Sequence, residues 1–204
     1  MKLSRVKQAG QAASSVRDLV LVGGGHAHVQ LLRRFMMKPI PNVRLTVVVD
    51  RYEAVYSGMV PGAVAGDYEV EDLTLDVLPL ARRAGARCVL ARATGIDPEA
   101  KVVEVEGRPP ISFDVASLDV GSTVRELPGL REWAFGLATR PISRFVRRIG
   151  DRIEELAQGE AASPQVSVIG GGAAGVELAL CTDCLLYTSP SPRDATLSRM
   201  PSSA

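Results

Sequence analysis

The chain has 204 residues, of which 46% are apolar, 23% charged and 4% aromatic, a composition that excludes a largely disordered protein. Its 24 basic and 23 acidic residues give a formal net charge of +1, which disfavours nucleic acid and anionic membrane surfaces as partners. No apolar run approaches the ~20 residues of a membrane-spanning helix. Three cysteines form no disulfide framework, so we expect a protein of the reducing cytoplasm.

The first motif follows a basic leader, residues 1–17, that lacks the apolar core of a secretory signal. An apolar run, DLVLV, leads into three glycines at residues 23–25, and apolar residues then recur at helical spacing. This pattern indicates a strand, a tight turn and a helix, as in a dinucleotide-binding unit. His28 stands where the third Gly or Ala of the fingerprint is usual, so the motif taken alone is weak.

The following residues strengthen that interpretation. Residues 43–49, VRLTVVV, predict a second buried parallel strand that ends at Asp50. An acidic residue at this place accepts a ribose hydroxyl in dinucleotide-binding units. It follows Gly25 by 25 residues, where about 20 is usual, and the proline-containing turn before the strand can absorb the difference. A glycine turn without a nucleotide is the alternative.

The middle of the chain is predicted to be β-rich. Strands are expected at residues 86–91, 101–106 and 115–120, and the last of them runs into Gly121, which either approaches a ligand or simply ends the strand. Residues 142–156 predict an amphipathic helix whose basic face, with four arginines, is exposed to solvent.

A second glycine motif follows. Residues 166–169, VSVI, predict a strand, and GGGAAG at residues 170–175 satisfies the GxGxxG pattern before a helix. Two such units on one chain are typical of a flavoprotein that takes a hydride from a nicotinamide. A glycine-rich structural loop is the alternative here.

The sequence changes character after Asp183. The last 21 residues contain prolines at positions 190, 192 and 201 and show no helical or strand period, which predicts a disordered tail. The same residues can be back-translated into the two constant parts of a transposase-type sequencing-library adapter, with residues 195–197 in the place of the sample barcode. We therefore expect residues 184–204 to be non-native and the natural protein to be interrupted at about Asp183.

Five motifs, in this order, resemble the N-terminal part of the pyridine nucleotide-disulfide oxidoreductase superfamily. Within it the chain is most similar to the type II NADH dehydrogenase-like branch, and there to the subgroup also found fused to selenide, water dikinase. The motifs are LVGGGHAHV (21–29), YSGMVPG (56–62), SLDVGS (117–122), RPIS (140–143) and VIGGGAAGVE (168–177).

The resemblance implies FAD along the first unit and NAD(P)H along the second. The residues implied to bind the FAD pyrophosphate are Gly23, Gly24, Gly25, His26 and Ala27. Asp50 is implied to bind the ribose, and Gly121 to approach the FAD. The residues implied to lie beside the isoalloxazine are Tyr56, Ser57, Gly58, Met59, Pro61 and Gly62. The second site comprises Gly170, Gly171, Gly172, Ala173, Ala174 and Gly175.

Three polar side chains of the two glycine motifs are candidates for a chemical role. His26 and His28 have no third ligand nearby, which argues against a metal site and leaves a polar lining of the flavin pocket or solvent exposure. Glu177 is implied to be catalytic, where its carboxylate positions the nicotinamide or takes part in proton transfer. The alternative role for Glu177 is a first-turn glutamate that the helix dipole favours.

The expected fold is α/β. A leader (1–17) precedes a Rossmann-like FAD-binding domain (18–164) with a parallel sheet and an antiparallel β excursion. The first β-turn-α of a Rossmann-like NAD(P)-binding domain (165–183) and the tail (184–204) follow. The segment at 56–62 carries no cysteine, which excludes a dithiol relay at the place where the superfamily's disulfide reductases have one.

The expected activity is hydride transfer from NAD(P)H to FAD and then to a quinone or another small electron acceptor. As written, the chain is expected to bind FAD poorly and to be inactive. We expect the full-length protein in the cytoplasm, and the resemblance allows peripheral contact with the inner membrane through its missing C-terminal part. The alternative is an FAD- and NAD-binding regulatory module without redox turnover, linked to selenophosphate synthesis.

Overall fold

The computed structural model describes residues 16–123, 136–158 and 166–188. The chain forms two compact units. The first comprises residues up to 52 together with 77–119, and the second comprises 53–76 together with the residues from 120 onward.

Nine strands and five α-helices are assigned in the described ranges, with two short 3-10 helices at Ser57–Met59 and Val70–Leu73. In chain order the strands and α-helices are β1 (Arg17–Val22), α1 (His26–Met37), β2 (Val43–Val49), β3 (Glu53–Val55), α2 (Val60–Ala65), β4 (Thr74–Asp76), α3 (Val77–Arg83), β5 (Arg87–Leu90), β6 (Ala93–Asp97), β7 (Val102–Val105), β8 (Arg108–Ser112), β9 (Val115–Leu118), α4 (Ile142–Gln158) and α5 (Ala173–Thr188).

The first unit is built on a four-stranded parallel sheet in the order β5-β2-β1-β9. Its strands are short and almost continuously apolar, as expected where both faces of a parallel sheet are covered. The strands predicted at 18–22, 43–49, 86–91 and 115–120 are all present, with ends that differ by no more than two residues. The predicted parallel sheet is thereby confirmed.

Alternation along the strands divides the core between the two faces of this sheet. Four valines of β1, β2 and β5 share one face and pack against Val103 and Val105 of β7. Leu21 points to the opposite face and is completely buried. Helix α1 buries Val29, Leu32 and Phe35 along its apolar stripe and packs beside α3.

The antiparallel excursion is a three-stranded sheet in the order β6-β7-β8. It is inserted between β5 and β9, as the sequence predicts. Strand β8 includes Pro109 and Pro110, which a ladder accepts because β8 lies at the edge of its sheet and needs no donor on its outer side.

The second unit contains the β3-β4 hairpin and helices α2, α4 and α5. Its core comprises Val60, Val64, Leu73, Phe145, Val146 and Leu178. Helix α4 confirms the predicted amphipathic helix and exposes Arg144, Arg147 and Arg148; Arg147 lies 2.8 Å from the Glu53 carboxylate. Because α4 shares a core with α5, the compact units divide the chain differently from the boundary that the sequence predicts after residue 164.

Helix α5 extends past the expected junction at 183/184. It continues to Thr188 because Pro190 is the first residue after Asp183 that cannot extend a helix. Residues 189–204 of the expected tail and residues 1–15 of the expected leader lie outside the described residues. In the described ranges, no helix combines the length and the apolar character that crossing a membrane requires.

Leu32 provides a test of this core, since its side chain is 0% exposed. Replacement of Leu32 by Ala is expected to lower the free energy of unfolding by about 2–5 kcal/mol, through lost burial and the cavity that remains. Urea denaturation followed by circular dichroism measures this change. Met37, which is 73% exposed on the same helix, is the control, and Met37→Ala should change the stability by no more than about 0.5 kcal/mol.

Candidate functional site

The first glycine turn lies at the carboxyl edge of the parallel sheet. It joins β1 to α1, and Gly23 has φ +96°, a left-handed backbone conformation that favours glycine. The Gly23 N–H donates to the Val48 carbonyl of the neighbouring strand at 2.8 Å. The predicted strand, turn and helix are therefore present, and Gly23, Gly24 and Gly25 occupy the turn. Their role in binding a pyrophosphate stays a prediction.

The position of β1 makes this turn a switch point. Strands β2 and β5 follow on one side of β1, whereas β9 lies on the other. In open α/β sheets, ligands bind outside the carboxyl ends of the strands, at the place where the strand order reverses. The crevice between the ends of β1 and β9 is therefore the candidate ligand site of the first unit.

His28 is not exposed to solvent, so the interpretation of this side chain as solvent-exposed is wrong. It is 1% exposed. Its Nδ1 lies 2.7 Å from the Gly23 carbonyl, and its Nε2 lies 2.9 Å from the Ser117 hydroxyl. Since a carbonyl only accepts, Nδ1–H donates to Gly23, and the ring ties the turn to β9. His28 thus fills the gap between helix and strand that a small residue closes in the usual fingerprint.

His26 lies two residues before His28 and is exposed. It begins α1, and Ala27 follows it at the helix N-terminus. The sequence places both residues at the FAD pyrophosphate. The structure puts them at the correct end of the helix, and their contact with a ligand stays a prediction.

Asp119 is the residue of this site that sequence reasoning missed. Its Oδ2 accepts hydrogen bonds from the backbone N–H groups of Ala27, at 2.8 Å, and His28, at 3.2 Å. Gly25 is the N-cap residue of α1 and has no side chain to do this, so Asp119 supplies the cap from the end of β9. The available signal was an acidic residue directly after a strand at the switch point.

Asp50 follows the end of β2, at the same edge of the sheet. A hydrogen bond from the neighbouring Arg51 guanidinium holds the pKa of the Asp50 carboxyl below its usual range, against a smaller opposing effect of burial. The ion pair has an Nη2 to Oδ2 distance of 2.9 Å, and both side chains are about half exposed. Asp50 is therefore ionised at neutral pH and is able to accept a hydrogen bond from a ribose hydroxyl.

In the second unit, the segment at 56–62 forms a 3-10 turn that runs into α2, with Pro61 in the first turn of that helix. A Cβ at Gly62 would lie 2.6 Å from the Tyr68 ring. A Cβ at Gly58 would lie 3.1 Å from the Tyr56 ring. Gly62 therefore has a packing role within this unit, whatever it contacts besides.

The second glycine turn is only partly as predicted. Gly170 has φ +128°, and α5 begins at Ala173 as expected, but residues 166–169 are not in a strand. The reason is that no strand of the described residues lies beside them to complete a ladder, and Val166, Val168 and Ile169 are exposed. A Cβ at Gly175 would overlap the Gly170 carbonyl, which explains the third glycine of this motif by close packing of helix on turn.

Glu177 lies one full turn inside α5, since the helix begins at Ala173. The interpretation of Glu177 as a first-turn glutamate is therefore wrong, and the helix dipole acts weakly at this distance from the helix end. Ala174, Glu177 and Leu178 share one face of α5, and that face lines a cavity.

This cavity has a volume of about 80 Å³ and lies within the second unit. It brings together four residues that the sequence assigns to the two cofactors: Ser57 and Pro61 from one motif, and Ala174 and Glu177 from the other. Thr139 and Arg140 line it too; neither was singled out in the sequence, although Arg140 belongs to the RPIS motif. The cavity is far below the ~300–1,000 Å³ of ordinary ligand pockets and suits a group no larger than a side chain.

The remaining residues predicted to bind the cofactors lie in the second unit but outside the cavity. They are Tyr56, Gly58, Met59, Gly62, Gly121, Gly170, Gly171, Gly172, Ala173 and Gly175. Gly121 has φ +73°, which favours glycine after β9. Its approach to FAD stays a prediction.

Comparison of the structure with solved structures identifies the class of its fold. No family model matches the sequence. The structural neighbours are oxidoreductases of the FAD- and NAD-dependent Rossmann type. The α/β fold with its parallel sheet and antiparallel strands is therefore the fold of that class.

Three similar proteins show how closely the chain matches them and how much of each it covers. The chain is 26% identical over 176 residues to the NADH dehydrogenase-like protein YutJ of Bacillus subtilis, a match that covers 80% of this chain and 44% of YutJ. The sulfide:quinone oxidoreductase of Aquifex aeolicus superposes with a TM-score of 0.62 at 20% identity, covering 85% of this chain and 42% of that one. The water-forming NADH oxidase of Lactobacillus brevis, bound to NADH, gives 0.65 at 21% identity, covering 82% and 37%. The chain thus spans less than half the length of these proteins.

Replacement of His28 tests its bridging role. His28→Ala leaves the Ser117 hydroxyl and the Gly23 carbonyl without their partner and opens a buried cavity, so the free energy of unfolding should fall by about 2–4 kcal/mol. The measurement is urea denaturation of the ligand-free protein. The exposed His26→Ala serves as the matched control and should have the smaller effect; equal effects would contradict the bridging role.

Proposed function

We propose that the protein to which this chain belongs is an NAD(P)H-dependent flavoprotein oxidoreductase. FAD would lie along the first glycine turn, and the hydride of NAD(P)H would pass to it and then, as two electrons, to a quinone or another small oxidant. The observation that carries the proposal is the shared cavity of Ser57 and Pro61 with Ala174 and Glu177. These residues come from the segment expected at the flavin and from the unit expected at the nicotinamide.

The backbone of the first unit fits a dinucleotide. Gly23 permits the tight turn, and α1 presents its N-terminus at the switch point of the sheet, where an anionic diphosphate is favoured. A Cβ at Gly25 would overlap the Asp119 carboxyl group, so only glycine lets an anionic group approach the backbone here. The ionised Asp50 at the end of β2 suits a ribose hydroxyl.

The side chains of the second unit would orient the reactants. Bound FAD supplies the redox chemistry, by accepting a hydride and releasing two electrons. Glu177 would hold the nicotinamide by a hydrogen bond or carry a proton at its carboxylate, and Arg140, on the wall of the same cavity, would supply a positive charge. The apolar wall of Val60, Ile142 and Phe145 would exclude water.

A quinone is one proposed acceptor, and the support for it is a single structural neighbour, a sulfide:quinone oxidoreductase. A quinone acceptor would place the protein in the cytoplasm, with peripheral contact at the inner membrane. The link to selenophosphate synthesis belongs to the alternative function, a binding module without redox turnover.

Replacement of Glu177 tests the proposed function. In the protein produced from the complete gene, Glu177→Gln should slow the reduction of bound FAD by NADH about a hundredfold, because a misplaced nicotinamide loses that much. Stopped-flow absorbance of the flavin under anaerobic conditions measures the rate. Asp183→Asn, on the same helix but not at the cavity, is the matched control and should react at the wild-type rate.

Two other results would count against this scheme. Wild-type reduction rates in Glu177→Gln would remove Glu177 from the chemistry. Bound FAD that NADH does not reduce in any variant would favour the binding module instead.

We also propose that residues 184–204 derive from a sequencing adapter. The expected result is that the coding DNA of this segment matches the adapter's constant parts codon by codon. Sequencing of the genomic locus past Asp183 measures this directly, and different codons, or the same residues in genomic DNA, would overturn it.

A further inference from the structure

The N-terminus of α1 already holds an anion, the side chain of Asp119. One carboxylate oxygen accepts hydrogen bonds from Ala27 N–H at 2.8 Å and from His28 N–H at 3.2 Å. These are among the first N–H groups of α1, which have no partner within the helix. A carboxylate at this position is stabilised by both hydrogen bonds and by the helix dipole.

The carboxylate also fills the space above the glycine turn. A Cβ placed on Gly25 would overlap the Asp119 carboxyl group, so the carboxyl packs directly on the Gly25 backbone. In a dinucleotide-binding unit, the glycine at this place allows the pyrophosphate to approach the backbone. Asp119 therefore occupies both the donors and the volume that a diphosphate would use.

Only the side chain of Asp119 needs to move to free this space. Its backbone N–H donates to the Val22 carbonyl at 2.8 Å, and its carbonyl accepts from Gly25 N–H at 3.1 Å. The main chain is thus tied to the turn on both sides, whereas the side chain depends on the two cap hydrogen bonds alone in the described structure. Rotation of the side chain would release the N–H groups of Ala27 and His28.

We propose that Asp119 is an internal competitor for the diphosphate subsite of the first unit. Its side chain occupies this subsite in the absence of dinucleotide, and its carboxylate must leave before FAD binds. This proposal rests on the proposed FAD site. Two anionic groups cannot share the same two N–H donors, so the occupied form of the turn does not bind the dinucleotide. The apparent dissociation constant is therefore the intrinsic one divided by the fraction of molecules in which Asp119 has left the subsite.

The test uses the protein produced from the complete gene and compares the wild type with Asp119→Ala and Asp119→Asn, with FAD and ADP as probes. Asp119→Ala removes the internal occupant and should bind ADP about fivefold more tightly, the factor that corresponds to loss of one helix cap. Asp119→Asn keeps the shape and the cap but removes the negative charge, so a smaller gain is expected. Isothermal titration calorimetry measures the affinities.

A second readout separates this role from a purely structural one. Asp119→Ala should lower the melting temperature of the ligand-free protein, because α1 loses its cap. At saturating ADP the difference from wild type should disappear, since the cap is absent from both proteins in the bound state. A purely structural Asp119 would leave the difference unchanged by ADP.

Two controls accompany the test. Asp114→Asn removes the same charge from the other end of β9, where Asp114 accepts a hydrogen bond from Asp18 N–H at 2.7 Å, and should leave the ADP affinity unchanged. Adenosine, which lacks the diphosphate, should bind all variants equally.

The outcomes distinguish this proposal from the proposed function. If the wild type binds FAD and ADP but Asp119→Ala binds them equally or more weakly, Asp119 is not a competitor, although the site exists. If every variant is folded by circular dichroism and none binds FAD or ADP, the FAD site is absent and the proposal fails with it.

Discussion

Strand β1 has a parallel neighbour on each side, β2 and β9, and the carboxyl ends of the three strands meet at one edge of the sheet. This arrangement determines where the candidate ligand-binding residues of the first unit lie. The glycine turn follows β1, Asp50 follows β2 and Asp119 follows β9. Residues far apart in the sequence thus lie at the same edge of the sheet, because the carboxyl ends of parallel strands are on the same side.

The packing of α1 on this edge departs from the usual fingerprint. A small third residue normally lets the helix approach the strand closely. Here His28 occupies that place, and its ring is accommodated because both ring nitrogens have partners, the Gly23 carbonyl and the Ser117 hydroxyl. Burial of an imidazole without such partners would be unfavourable. The serine of β9 and the histidine of α1 therefore form one structural pair.

Much of the fold could be predicted because its signals are local. The run of residues 43–49 is apolar and β-branched, and the glycines at 23–25 end a strand and begin a helix, so neither needs information from elsewhere in the chain. The amphipathic period of α4 is likewise contained within that helix.

The features that were missed depend on distant partners. Asp119 and the N-terminus of α1 are 92 residues apart at Ala27, and no periodicity relates them. His28 was assigned wrongly because its partner on β9, Ser117, lies 89 residues away. The strand expected at 166–169 has the correct composition, but strand formation requires a neighbour, and composition alone does not supply one.

The distance along the chain between α1 and its cap affects the order in which the protein assembles during synthesis. Helix α1 and β2 leave the ribosome long before residue 119 has been translated. Until then, β1 lacks its second neighbour and the first N–H groups of α1 lack the carboxylate that accepts their hydrogen bonds. Non-local pairing of this kind slows folding and prolongs the exposure of partly folded chains. The first unit therefore reaches its final form only after the antiparallel excursion has emerged and β9 has been inserted beside β1.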